Sequence, residues 1–413
     1  MMLLRRKLFH LFLAASFCSF AADNPASKAG LDAERLARIP KRMNEFVQNH
    51  YLAGIVTLVA RHGVVAELDA VGWQDVERKK PMATDSIFQV MSMTKPVTGI
   101  GIMLLYEEGK LGIGDRVDKF LPEFANPMVL DGQNPDGTPK LKKGRPITIR
   151  ELMTHTAGVW DGSADELMDI TDQMRMPLAD AVKLYAQKPL YFDRDTKWKY
   201  SSPGISILGR IIEVVSGMPY ERFIGERLLQ PLGMKDSFYF PPENKQDRIA
   251  MVYHKPRGGG QLQRSTEHLL GGDPAAFRKG ARYPAPGFGL YSTASDLVRL
   301  YQMLLNGGTL DGKRYLARPT VGLMTQVYTA HLPNLAILRG TGWRLTFEVI
   351  SNPNGNFLMY SPGTFGHGGA FGTAGWIDPK KDMIRIFLVQ DSEGEAGTAN
   401  SAFMVMAAAS IAE

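Results

Sequence analysis

The sequence predicts an α/β sandwich that carries a helical lobe, with a cleft between the two. Three observations predict it. Two strand-like runs, Ala53–Ala60 and Val64–Val71, flank the turn Arg61-His62-Gly63 near the start of the chain. From Gly342 onward the pattern is again that of strands: Trp343–Ile350, Phe357–Tyr360, Thr373–Ile377 and Ile384–Val389. The residues between are mainly helical in periodicity. Strands at both ends of a chain can share one sheet, and the middle then becomes an insertion.

The elements follow in order. Apolar residues at helical spacing over 31–49 (Leu31, Leu36, Ile39, Met43, Phe46, Val47) predict a helix that Pro40 bends or divides. The two runs after it form a hairpin buried on at least one face. Ile87–Tyr106 reads as helical and stops at Gly109. Residues 126–146, rich in Pro, Gly, Asn and Asp, read as an exposed loop or hairpin. Helices are expected at Ile147–Thr156, Leu178–Gln187, Ile205–Ser216 and Leu297–Leu305, the last closed by Asn306-Gly307-Gly308. A final apolar helix spans 400–412.

The N-terminus carries Arg5-Arg6-Lys7, then an apolar stretch from Leu8 to Phe20 without Asp or Glu, then Ser19-Phe20-Ala21. That stretch is shorter than the about 20 residues a membrane-spanning helix needs. The arrangement is that of a secretory signal, expected to be removed after residue 21, and it implies a periplasmic or secreted protein. No other apolar run reaches the length of a transmembrane anchor. The 413 residues include 48 basic and 42 acidic side chains, a formal charge of +6. Half of that excess is Arg5, Arg6 and Lys7, so the charge is no argument for an anionic partner. The single cysteine, Cys18, lies in the same leader. A disulfide framework, a multi-cysteine metal site and a cysteine nucleophile are therefore not expected in the mature chain. Dispersed basic residues without an aromatic stripe give no support for nucleic-acid binding.

Several signatures are missing: Gly-x-Ser-x-Gly, His-Glu-x-x-His, and a Gly-x-Gly-x-x-Gly that opens a helix after a strand. Gly307 to Lys313 resembles a phosphate loop, but Arg314 replaces the Ser/Thr and the segment follows a helix, so it reads as a cap and turn. One spacing stands out, Ser92-Met93-Thr94-Lys95. Pro96 is tolerated only in a first helical turn, which places the helix start near Ser92. Residues three apart share a helix face, so Lys95 can reach the Ser92 hydroxyl. To accept a proton near neutral pH, Lys95 must be desolvated or lie near other cations. Alone, the tetrad reads more readily as an N-cap followed by a solvated lysine. Tyr200-Ser201-Ser202-Pro203-Gly204 before a helix, and Phe365-Gly366-His367-Gly368-Gly369-Ala370 among the last strands, add to it. A glycine-rich strand lets a substrate approach the backbone, whose N–H groups can hold an oxyanion.

Together these residues resemble the serine β-lactamase and penicillin-binding-protein superfamily, in its class C-like branch and nearest to the class VIII (family VIII) carboxylesterases. The blocks are Phe88–Lys95, Ile147–Gly158, Tyr200–Ser202 followed by Leu208–Glu213, Pro231–Met234, Gly289–Thr293, and His367–Gly369 leading to Trp376–Pro379. They span about residues 30–410 in the family's order. The resemblance implies a β-lactamase/transpeptidase-like fold, an antiparallel sheet sandwiched by helices plus an inserted mainly helical lobe. The α/β lobe would comprise about 30–105 and 330–413, the helical lobe about 106–240, and mixed loops and helices 241–329, all within one hydrolase domain over 22–413.

The resemblance also implies roles. Ser92 is the nucleophile, and Lys95 and Tyr200 share proton transfer, with the main base left open between them. The N–H groups of Ser92 and Ala370 form the oxyanion hole. Ser202, His367, Gly368, Gly369 and Trp160 face the substrate, although the residues alone equally allow Trp160 to be packed and His367 to be structural. No metal or cofactor is needed. Two departures matter. Ser202 stands where the family's tyrosine block usually ends in Asn, and His367-Gly368-Gly369 replaces Lys-Thr-Gly. Both weaken recognition of a carboxylated amide and point to neutral esters. The implied activity is that of an exported carboxylesterase on short acyl esters, its partner a small-molecule ester or amide. A β-lactamase or D-alanyl-D-alanine carboxypeptidase, an acyltransferase, and a non-catalytic cell-wall-binding homologue are the alternatives. Oligomeric state is open.

Overall fold

Strands from the two ends of the chain lie in one eight-stranded sheet. The computed structural model describes residues 24–256, 259–265, 278–332, 340–354, 357–394 and 396–412. The expected leader, residues 1–21 with Cys18, lies outside the described residues. β1 (Gly54–Arg61) and β2 (Val64–Asp75) form a hairpin whose turn residues His62 and Gly63 both take left-handed backbone, with φ of 53° and 74°. Two left-handed residues twist a two-residue turn to match its strands. A short β3 (Lys80–Pro81) follows at one edge. The C-terminal strands are β4 (Thr341–Trp343), β5 (Glu348–Ile350), β6 (Phe365–Gly368), β7 (Ala374–Asp378) and β8 (Met383–Leu388). The order is β4-β5-β6-β7-β8-β1-β2-β3, with every pair antiparallel. The seam between the chain ends is β8 against β1, with Leu58 opposite Ile386.

Both faces of the sheet are covered. β1 presents apolar residues on both sides, with Thr57 between Ile55 and Val59 on one of them. Val56, Leu58 and Ala60, with Ile377, Ile384, Ile386 and Leu388, enter the main core, which also holds α2 (Thr94–Glu107) and α5 (Ala294–Leu305). Ile55 and Val59, with Trp376, Met383 and Phe387, pack on the opposite face against α1 (Arg38–Gln48) and α6 (Ala396–Ala409). α1 contributes Ile39, Met43 and Phe46, at the helical spacing read from the sequence. The helix is divided at Ala37, between Ala33–Leu36 and α1, and not at Pro40, which sits in the first turn of α1, where its missing N–H has no helical partner to lose. No helix among the described residues is long and apolar enough to cross a membrane.

Three stretches differ from the sequence reading. Ile87–Tyr106 is not helical throughout: Phe88–Gln89 pairs with Tyr291–Ser292 as a short strand, and a 3-10 turn over Met91–Met93 leads into α2. Trp343–Ile350 is two strands rather than one, because Thr346 takes φ 64° and turns the chain without a Gly or Pro to mark it. Phe357–Tyr360 is not a strand, and Phe357 is 88% exposed. Within 126–146 the structure forms an exposed hairpin, Met128–Gln133 against Pro139–Lys143.

Candidate active site

Ser92 lies in the 3-10 turn that opens α2, half-buried, directly after Met91. Met91 has φ 50°, a left-handed conformation that a bulky side chain adopts only when its surroundings enforce it. The enforcing contacts are visible. Val90 N donates to Leu290 O at 3.0 Å, Thr94 Oγ1 donates to Met91 O at 2.6 Å, and Leu290 N donates back to Thr94 Oγ1 at 3.1 Å. The turn is thus held on the segment 285–292.

Lys95 is completely buried. Its Nζ donates to Ser92 Oγ at 3.0 Å, to Ser202 Oγ at 3.2 Å and to the Gly287 carbonyl at 2.8 Å, and lies 4.4 Å from the centre of the Tyr200 ring. Three oxygen acceptors match the three donors of an ammonium, yet none of them is charged. Burial therefore pushes the amine down to about 7, with the nearby Asp161 carboxylate pulling it back up. Burial holds the Tyr200 phenol well above the ordinary range, with the neighbouring Ser92 side chain acting in the opposite direction.

The tyrosine block is fixed by the loop that follows α3 (Ile149–Met153), a helix closed at its start by a Thr148–Glu151 capping box. His155, in left-handed backbone at φ 58°, receives Ser201 N at Nδ1 (3.2 Å), and its carbonyl receives Lys199 N at 3.0 Å. The hydrogen bond at Nδ1 leaves the proton on Nε2, and burial pushes the imidazole well below its usual range. Ser201 caps α4 (Ser202–Ser216): its Oγ accepts from Gly204 N at 3.0 Å and donates to the Trp160 carbonyl at 2.9 Å. The Trp160 ring itself lies in the helical core, 6.2 Å from Tyr185 and beneath the Lys188 ammonium. Its backbone, not its indole, is what meets the tyrosine block.

His367 on β6 is 5% exposed, 6.1 Å from Tyr200 and 5.6 Å from Trp343 between ring centres. Its Nδ1 bonds the Gly368 carbonyl, which makes Nδ1 the protonated nitrogen. Burial, aided by the Lys95 charge, pushes it down to about 3, so it stays neutral across the working range. After Gly368 the chain turns tightly: Gly369 N donates to Thr373 O at 2.7 Å and Gly372 N to Gly369 O at 2.9 Å, with Ala370 exposed at the tip. A Cβ on Gly369 would lie 2.1 Å from Thr373 Oγ1 and 2.5 Å from the Val90 carbonyl. Thr373 Oγ1 donates to that same carbonyl at 3.1 Å. The last strands are thus tied to the turn that carries Ser92 through Gly369 and Thr373, and Ala370 follows Gly369 directly.

Four residues that sequence reasoning did not single out complete the surroundings. Gly287 supplies a carbonyl to Lys95, and Asp161 accepts from Ser202 N at 3.1 Å. Trp343 and Trp198 stand among His155, Tyr200 and His367, with Trp343 4.8 Å from His155 and 5.4 Å from Trp198. Asp161 sits three residues beyond the recognisable block that ends at Gly158, which is the one sequence signal that could have found it.

A model of the β-lactamase family matches residues 39–409. The chain belongs to that family. Among similar proteins, Protein Rv1367c of Mycobacterium tuberculosis is 31% identical over 356 residues, 82% of this chain and 86% of the relative. Esterase EstB of Burkholderia gladioli is 28% identical over 406 residues, 91% of this chain and 96% of the esterase. The solved structure of EstCE1, described as a hydrolase with promiscuous acyltransferase activity, superposes with a TM-score of 0.75 at 26% identity, over 92% of this chain and 99% of that one. The mixed α/β fold with its large antiparallel sheet is that of the serine β-lactamases and penicillin-binding proteins, and the protein is a serine hydrolase of that superfamily.

Proposed function

We propose that the protein is an exported carboxylesterase that forms an acyl-enzyme on Ser92 and acts on short acyl esters. The observation that carries this reading is a buried amine within 3.0 Å of a half-exposed serine, with its proton made labile near neutral pH. The proton of Ser92 passes to Lys95 or through Tyr200 as Oγ forms its bond to the ester carbonyl carbon. The N–H groups of Ser92 and Ala370 take the oxyanion. Collapse breaks the bond to the alkoxy group, which leaves as the alcohol with a proton from Tyr200, replaced by the one taken from Ser92. Water then adds to the acyl carbon and gives its proton to the same pair, and the acyl–Oγ bond breaks as that proton returns to Ser92 and the acid leaves.

The preference for neutral esters rests on what faces the nucleophile. Ser202 Oγ is engaged with Lys95, and His367 carries no charge to pair with a substrate carboxylate. The relatives named as an esterase and as a hydrolase with acyltransferase activity support the same class of chemistry. Export is proposed from the leader-like residues 1–21, and mature protein from a periplasmic or culture fraction should begin near residue 22.

The test is turnover of a short-chain p-nitrophenyl ester, with intact-mass detection of an adduct on Ser92. Ser92→Ala should abolish both. Equal turnover by the Ser92→Ala variant sinks the assignment. Turnover of a chromogenic cephalosporin, or a stable penicillin adduct, would redirect the reading to lactams and D-alanyl peptides. Transfer of the acyl group to an added alcohol in preference to water would redirect it to an acyltransferase. The absence of any adduct with a fluorophosphonate would favour a binding role.

A further inference from the structure

Asp161 joins the catalytic cluster from a loop to which the mechanism above assigns no task. Its Oδ1 accepts from the Ser202 amide at 3.1 Å, and Ser202 Oγ receives Lys95 Nζ at 3.2 Å. Asp161 is therefore one residue removed from the amine that bonds Ser92. It also sits at the first turn of α4, a 15-residue helix whose N-terminal N–H groups favour a negative charge. The loop is clamped there by the bond from Ser201 Oγ to the Trp160 carbonyl, and by one from the Tyr191 hydroxyl to the Asp161 carbonyl at 3.4 Å.

The titratable groups around Lys95 come from four places in the chain. Tyr200 precedes α4, His155 follows α3, His367 lies on β6, and Asp161 lies on the loop after His155. Both imidazoles are held neutral by burial, and the Tyr200 phenol is held in its protonated form. Ser92, Ser202 and the Gly287 carbonyl carry no charge. Of these groups Asp161 alone brings a negative charge to bear on the amine. Burial pushes its own carboxyl up, opposed by the Ser202 amide, by Lys95 and by the exposed Lys199. Glu348 acts on Tyr200 instead.

We propose that Asp161 is a positioning residue for proton transfer between Lys95 and Ser92: it anchors the Ser202 amide so that Ser202 Oγ faces the amine, and its carboxylate sets how readily Lys95 gives up its proton. The proposal rests on the reading that Ser92 is acylated with the help of Lys95. The electrostatic half can nevertheless be read without turnover. Asp161→Asn keeps an oxygen acceptor for the Ser202 amide and removes the charge. Removing a negative neighbour disfavours the ammonium, so the midpoint of Lys95 must fall.

In a titration of the [ε-13C]lysine-labelled full-length protein, with the Lys95 signal assigned by its loss in Lys95→Met, the Asp161→Asn midpoint is expected lower by roughly 0.5–1 pH unit. The limb of the acylation-rate profile that reports Lys95 should move by the same amount, whether Lys95 acts as base or as cation. Asp161→Ser also leaves an oxygen acceptor near the Ser202 amide and removes the charge, with less bulk. It should shift the midpoint in the same direction, and it serves as the test should Asp161→Asn not fold. A capping role alone predicts an unmoved midpoint in both variants, and that result overturns the proposal. If the midpoint moves but the wild type forms no adduct on Ser92, the esterase reading fails and the electrostatic inference stands.

Discussion

The two faces of the sheet both bury ionisable side chains, and they put them to different use. On the inner side Lys95 is surrounded by three neutral oxygens, one of which is a half-exposed serine hydroxyl. On the outer side Arg385, fully buried on β8, donates to the Leu358 and Met404 carbonyls and lies 4.6 Å from the Tyr360 ring centre. Glu67 on β2 is also buried there, accepting from Thr57 Oγ1 at 2.6 Å. Desolvation disfavours the charged form of all three. The outcomes differ because the partners differ. A lysine can release its proton to solvent or substrate, whereas an arginine stays protonated and can only anchor. Glu67 has a shifted proton, but the hydroxyl beside it, Thr57, is itself buried and out of a substrate's reach. A perturbed group becomes chemistry only where a reacting atom is within hydrogen-bond reach.

Four measurements press on that contrast. Lys95→Ala should lower acylation of Ser92 by about 10³-fold, in the range seen for a lost acid–base group, and thermal unfolding should not fall with it, since a buried amine is removed. A loss of stability matching the loss of activity would make Lys95 an anchor like Arg385. Gly369→Ala should reduce kcat/KM by about 10²-fold, since its new methyl collides with the Val90 carbonyl and displaces the Ala370 N–H. Unchanged hydrolysis in that variant removes Ala370 from the oxyanion hole.

On the outer face the effects should appear in stability alone. The folded state holds Glu67 at about 8 against an ordinary value of 4.5. Between those values the folded chain keeps a proton that the unfolded chain has released, so stability falls as pH rises, by about 1.4 kcal/mol per unit. Glu67→Gln should flatten that slope and raise stability by roughly 2 kcal/mol at pH 8, with turnover of the folded enzyme unchanged. Denaturant unfolding at a series of pH values checks it, and an unaltered slope would assign the titration elsewhere. Arg385→Met should give the smallest change, about 1 kcal/mol of destabilisation from carbonyls left without their donor. Any change in the pH profile of acylation with it would mean that the two faces are coupled.

How much of the site could be read beforehand depended on chain distance. Ser92 and Lys95 are three residues apart on one helical turn, so backbone geometry alone brings Nζ to the hydroxyl, and Pro96 marks where the helix begins. Tyr200 and His367 were legible only through their ordered surroundings in the family-like blocks. Gly287 and Asp161 reach Lys95 and Ser202 from segments whose separation no periodicity encodes. The Trp160 ring was ambiguous for the same reason: a tryptophan pattern does not say which side of a loop is the cleft. Among the strands, β1, β7 and β8 were visible within one residue because apolar runs mark them, whereas β2 begins at Val64 as expected but continues past Val71 to Asp75. The hairpin at Thr346 was not, because its left-handed turn is imposed by contacts: Thr346 N donates to the Met153 carbonyl at 2.9 Å.

By itself, then, the sequence determined the local chemistry: a serine and a lysine on one turn, a glycine-rich strand end, and apolar runs long enough for a two-faced sheet. Those are short-range consequences of helix and strand period. The tertiary structure alone decided that the lysine is dry, that its three acceptors are uncharged, and that a carboxylate stands one residue away. Burial and charge proximity are sums over segments distant in the chain, and it is these sums that bring the Lys95 amine down to about 7.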